Sequence, residues 1–180
     1  MTQPAQHRVL ADIGGTVVAE QGPLVVVIDR GTGPLATTAF VLGVLAVVFG
    51  GFGAVMLAIA GQGAGVPPAV SAAFVAVGLA FGVATAAAVR RIKANNQRPL
   101  ADYRPVAVLD RARGVLADAD GTVLAPLDQV RFERRMQLGS SSPKLVASTP
   151  NGDRILKRGN PFTGGIGNLD EVLTVVAHGR

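Results

Sequence analysis

The chain has no cysteine, which excludes a disulfide framework, a thiolate nucleophile and a cysteine-type zinc site. It has no tryptophan and a single tyrosine, Tyr103, with aromatics at 4% of the chain. So few rings leave little for bases to stack on, and nucleic acid is a disfavoured partner. The two histidines, His7 and His178, lie at opposite ends with no ligand-type neighbours at metal spacing, so no metal site is expected. Lysine is scarce, three against fourteen arginines, in a chain rich in Ala, Gly and Val. GC-rich codons encode those residues, so a GC-rich bacterium, of actinomycete type, is the expected source. The largest absence is charge. Between Arg30 and Arg90 there are 59 consecutive residues without Asp, Glu, Lys, Arg or His.

A charge at the bilayer centre costs about 2.5–3.5 kcal/mol on insertion scales, so membrane spans exclude it. The charge-free stretch is too long for one span and right for two. Residues 36–60 are rich in Leu, Val, Phe and Ile, and residues 69–90 in Ala and Gly. Each exceeds the roughly 20 residues that cross about 30 Å of hydrocarbon. Residues 61–68 (GQGAGVPP) read as the turn between them. A soluble helix pair of this length would show a polar face, and neither segment has one. The apolar run starts some thirty residues in, without a basic segment directly before it, so it is not expected to be a cleaved signal peptide.

Arg90, Arg91, Lys93 and Arg98 follow the second segment, whereas residues 61–68 carry no Lys or Arg. The positive-inside rule puts residues 61–68 outside and both termini in the cytoplasm, in a bacterial inner (plasma) membrane. Residues 1–30 hold two basic and three acidic groups, and residues 90–180 hold fifteen and nine. The basic excess therefore belongs to the C-terminal part.

Outside the apolar segments the texture is β. Residues 1–7 read as a loose terminus. Residues 16–20 and 24–29 are β-prone runs around Gln21, Gly22 and Pro23. Residues 91–104 read as a polar connector, with Tyr103 a candidate for the headgroup level. Within 105–180, residues 106–110, 115–117, 122–127, 129–138, 144–149 and 154–158 read as strands between turns. Residues 129–138 alternate, placing Val130, Phe132, Met136 and Leu138 on one face, with Arg134 as a break that suggests a bulge. Residues 139–143 (GSSSP) read as a loop. In residues 168–177, Leu169, Val172, Leu173 and Val176 form one apolar helical face, with Asn168 at the N-cap position and Glu171 at N3. Thirty residues cannot make a core alone, so residues 1–30 are expected to join the C-terminal sheet.

Short meandering strands closed by one amphipathic helix resemble a pleckstrin-homology-like domain, over residues 105–177 with residues 16–29. Small bacterial membrane proteins with a two-helix hairpin beside such a domain are a known type. The resemblance implies a fold of membrane α+β class: a transmembrane helical hairpin plus a mainly antiparallel β domain closed by the C-terminal helix. Arg111 and Arg113 match partly the early hairpin turn where lipid-binding members carry basic residues. The C-terminal helix lacks the family's usual tryptophan. Bacterial members often bind proteins or peptides, so the resemblance does not select a ligand.

Five arginines, Arg111, Arg113, Arg131, Arg134 and Arg135, make a candidate face for an anionic partner, with anionic lipid first for a membrane-tethered chain. The plain alternative is a solvated strand face paired with Glu133 and Asp128. Small residues recur along the spans, notably Ala46, Gly50 and Ala54 in the first and Gly78 and Gly82 in the second. They suit close helix packing, with each other, with a protein partner or with a second copy. Because 13 of residues 69–89 are Ala, Gly, Ser or Thr, composition alone generates such rows. Asp110, Asp118, Asp120 and Asp128 read as turn residues rather than a calcium loop, which needs a closing Glu. Residues 164–167 (GGIG) lack the Lys-Ser/Thr of a phosphate loop and read as a connector. No catalytic residue and no cofactor site is expected. The expectation is a non-enzymatic membrane protein presenting a binding or scaffold domain. The alternative is an accessory subunit of a larger membrane complex that associates through its spans.

Overall fold

The computed structural model describes residues 8–61 and 67–179. The loose terminus at residues 1–7 and most of the turn at 61–68 lie outside the described residues. The chain divides into two compact units, Pro34–Asn95 and a second built from Met1–Gly33 with Asn96–Arg180.

The first unit is a pair of long apolar helices, α1 (Gly33–Ala60) and α2 (Pro68–Asn96). At about 1.5 Å per residue each is over 40 Å long, enough by length and composition to cross a membrane. A soluble core helix would be mostly covered. Here only 6% and 11% of the most apolar windows are buried. Phe40, Val44, Val47, Phe52, Leu79 and Val83 are among the large apolar side chains left exposed. Helix α2 runs past the apolar stretch through Arg90, Arg91 and Lys93 and stops before Pro99.

Among the described residues the second unit holds nine antiparallel strands in two sheets and a C-terminal helix. The larger sheet is a six-stranded meander of β1 (Arg8–Ile13), β2 (Thr16–Gln21), β3 (Leu24–Asp29), β4 (Pro105–Asp110), β5 (Val115–Asp118) and β6 (Val123–Pro126). Strands β3 and β4 flank the helical pair in sequence and are neighbours in the sheet, with Val25 opposite Leu109 and Val27 opposite Ala107. All four are fully buried in the main core. Burying one Val or Leu side chain is worth about 1.5–3 kcal/mol, so this seam is a main tie between the two chain segments.

The smaller sheet is β7 (Arg131–Gln137), β8 (Ser140–Thr149) and β9 (Gly152–Arg158). Helix α3 (Leu169–His178) drops Leu169 and Leu173 into the core beside Phe132, Leu145 and Leu156. Of the expected face Leu169, Val172, Leu173 and Val176, the first, third and fourth pack on the core together with Ala177, and Val172 is half-buried.

Strand β3 is apolar on both faces and is covered on both. Val25 and Val27 face the main core. Ile28, with Val17 and Ala19, forms a second cluster capped by Leu100 and Tyr103. Tyr103 is therefore half-buried against the sheet.

Three local readings change. Of residues 139–143 only Gly139 is turn: β8 begins at Ser140, which pairs with Gln137 across a two-residue turn where Gly139 takes φ +79°. Alternation along β7 breaks at the register shift between Arg135 and Gln137. Phe132 is buried as the alternation requires, but Met136 and Leu138 project into solvent at 74% and 106% relative exposure. Arg8–Ile13, a mixed run without clean alternation, is a further strand.

Candidate functional site

The five arginines are distributed over two sheets. Arg111 and Arg113 occupy the β4–β5 turn, and Arg131, Arg134 and Arg135 lie on β7. Arg111 is ion-paired with Glu20 of β2 and donates to the Gly22 carbonyl at 3.2 Å. Arg134 donates through Nε to both Asp170 carboxylate oxygens, at 2.9 and 2.8 Å, which ties β7 to the first turn of α3. That hydrogen bond raises the Arg134 pKa above its ordinary value. Arg135 donates to Glu133 at 3.0 Å and is ion-paired with Asp153, which also accepts from Ser148. Arg113 and Arg131 make no ion pair among the described residues. Three of the five guanidinium groups thus already have carboxylate partners.

The carboxylates singled out in the sequence serve turns. Asp110 accepts from the Arg113 backbone N–H at 3.0 Å. Asp118 accepts from Ala119 N–H at 2.7 Å and from Arg154 at 2.8 Å. Asp120 accepts from Thr122 N–H at 2.9 Å, and that bond lowers its pKa below the ordinary carboxylate value. Asp128 lies in a single 3₁₀ turn, Leu127–Gln129. Among the described residues no three His, Asp or Glu come together in a metal-ligand group. Ser140 Oγ accepts from Ser142 N–H at 3.2 Å.

The glycine run before α3 packs rather than dangles: Ile166 is buried in the main core. The Asn168 side chain makes no capping bond. Asn160 caps instead, accepting from Phe162 N–H at 2.8 Å at the start of the preceding 3₁₀ turn. The Asn168 and Glu171 spacing was a cap signature without the bond, because Ile166 and Leu169 position the helix by burial.

Within the helical pair the seam is built on glycine. A Cβ on Gly78 would collide with the Gly50 backbone and stand 3.2 Å from the Ala46 carbonyl oxygen. One on Gly53 would meet Val75 N at 2.6 Å. Gly53 was not among the residues the spacing picked out, yet it is buried, while Ala54 is exposed. Gly82 is half-buried, with open space where a Cβ would stand. Phe49 fills the seam against Phe74 and Phe81, with ring centroids 5.9 and 5.8 Å apart.

No family model, curated protein or solved structure matches the chain.

Two features escaped the sequence reading. One is Lys157, which alternation cannot mark as interior but which is 4% exposed and ion-paired with Asp29. The other is the pair Lys144 and Arg158, placed directly opposite each other on β8 and β9. A register shift between Leu145 and Val146 sets that pairing, and shifts of this kind are not legible in composition.

Proposed function

We propose that the chain is a non-enzymatic integral membrane protein. Helices α1 and α2 span the bilayer as a hairpin, both termini are cytoplasmic, and the two-sheet unit is a pleckstrin-homology-like binding or scaffold domain held at the inner leaflet of a bacterial plasma membrane. The observation that carries the reading is the apolar surface of two long helices whose 18-residue apolar windows carry no charge and are only 6% and 11% buried. In water such a surface would drive association, since exposed apolar patches beyond a few hundred Å² mark an interaction surface. In hydrocarbon it is at rest. The basic groups Arg90, Arg91 and Lys93 at the end of α2 support the orientation. Between β3 and α1, and again between α2 and β4, only short stretches of chain intervene, which supports a domain at the leaflet surface.

The test uses the absence of cysteine. Cys at Gln62 should label from outside intact cells, and Cys at Ser141 should label only after permeabilisation. Reversed labelling overturns the orientation, and a protein released by alkaline carbonate overturns the spans.

A second reading, an accessory subunit associating through its spans, is supported by the exposed small residues Ala72, Ala76 and Ala80 on α2. Mild-detergent purification separates the two. Partners retained after removal of residues 105–180 favour the subunit, and partners lost with that deletion favour the scaffold.

A further inference from the structure

The end of the smaller sheet combines features that a simply solvated surface does not need. Leu138 occupies the two-residue β7–β8 turn and is fully exposed, with Met136 beside it 74% exposed. Turn tips ordinarily carry Gly, Asn, Asp or Ser. Under these side chains lies a recess of about 380 Å³ lined by Met136, Gln137, Leu138, Lys144, Ile155 and Arg158. Its charged residues are both basic.

The two cations are placed against their own electrostatics. Arg135, Lys144 and Arg158 stand in one row across β7, β8 and β9. Like charges directly opposite on a sheet destabilise it. Arg135 is neutralised by Glu133 and Asp153. Lys144 and Arg158 have no ion pair among the described residues. An anion seated between them would remove the repulsion.

The turn is also braced. Gln137 Nε2 donates to the Ser142 carbonyl at 2.7 Å and to the Gly159 carbonyl at 3.1 Å, binding the hairpin neck to the start of β8 and the end of β9. An apolar tip on a stiff neck loses little entropy when it enters another phase.

We propose that this edge is the membrane-docking face of the domain, with Leu138 and Met136 entering the acyl boundary and Lys144 and Arg158 holding phosphate-bearing anionic headgroups. The inference rests on the membrane reading above. Charge complementarity selects an anionic leaflet as the occupant, and the exposed Leu and Met select a lipid phase over a free soluble anion. Tethering by α1 and α2 raises the effective concentration of the leaflet, so modest contacts suffice. The docking residues therefore differ from the five arginines, three of which are already paired.

The absence of tryptophan gives a direct test in the full-length protein. Leu138→Trp introduces the only tryptophan, as does Val47→Trp on the exposed flank of α1. Each variant goes into lipid nanodiscs with brominated acyl chains, either phosphatidylcholine alone or phosphatidylcholine with phosphatidylglycerol. Val47→Trp should be quenched in both. Leu138→Trp should be quenched only in the anionic discs. Adding Lys144→Gln and Arg158→Gln should lower its docked-to-undocked ratio about thirtyfold, at roughly 1 kcal/mol per basic contact. Quenching at Val47→Trp without quenching at Leu138→Trp overturns the docking face, and leaves an acidic protein as its occupant. Equal quenching of Leu138→Trp in both discs overturns the role of the two cations. An unquenched Val47→Trp overturns the membrane reading itself.

Discussion

Lys157 of β9 is ion-paired with Asp29 at the end of β3, 128 positions earlier in the chain. The lysine side chain is 3% exposed, and the carboxylate also accepts from Gly31 N–H at 2.9 Å. The pair fastens the smaller sheet to the last residue of the strand that precedes α1.

Breaking that pair from one side should be costly, because it strands a buried ammonium. Asp29→Ala should destabilise the domain by about 3 kcal/mol. The double variant Asp29→Leu with Lys157→Met should recover most of the loss, since a well-packed apolar pair avoids the desolvation cost. Denaturant titration of the detergent-solubilised protein reads both. Equal loss in the single and double variants would show that the ion pair is not what the site needs.

Removing residues 1–29 should open the C-terminal domain. The deletion takes Val18, Val25 and Val27 from the core and uncovers the β4 edge. Limited proteolysis of the truncated protein should then cut within residues 105–158, where the full chain resists. Unchanged resistance would mean that β4–β9 and α3 fold without β1–β3.

The helix seam should tolerate no side chain at Gly78. A Cβ on Gly43 would stand 3.7 Å from Thr85 Cγ2, so Gly43→Cys with Thr85→Cys should cross-link on oxidation in the cysteine-free chain. Gly78→Leu should abolish the cross-link by forcing α1 and α2 apart at Gly50. Gly82→Leu should preserve it, because nothing lies within 4 Å of that Cβ position.

Acid should loosen the β5–β6 turn at an unusually low pH. Asp120 is held below its ordinary value of 3.8, chiefly by the Thr122 N–H. A depressed carboxylate contributes stability that is complete above its unfolded value and lost as pH falls through its folded one. An NMR titration should place the Asp120 midpoint below 3.8, with the Thr122 amide shift tracking it. Asp120→Asn should remove that dependence. A midpoint at or above 3.8 would contradict the assignment.

Much of the fold is legible in particular residues. The charge-free stretch beyond Arg30 reads as long apolar helices, because a helix satisfies its backbone N–H and C=O groups within its own segment and needs no polar side chain or water to do so. Leu169, Leu173 and Val176 mark the covering face of α3. Phe132 reads correctly as interior. Met136 and Leu138, four and six residues on, do not, because one register shift and a two-residue turn carry them outside. Ser140, Ser141, Ser142 and Pro143 look like a loop by composition, yet they belong to β8, lying between its Ser140–Gln137 and Lys144–Arg135 pairings with β7.

The candidate site divides along the same physical line. Local properties were present in the sequence by itself: where charge is absent, which segments are long and apolar, and where Gly and Asp demand turns. These depend on solvation and on backbone preferences within a few residues. Which cations are neutralised was decided only by the tertiary structure. Arg111 meets Glu20 across 91 positions and Arg134 meets Asp170 across 36. Lys144 and Arg158 are brought opposite each other, and neither has an ion pair among the described residues. Ion pairing falls off within a few ångströms, and only the register of strands distant in sequence sets distances that small.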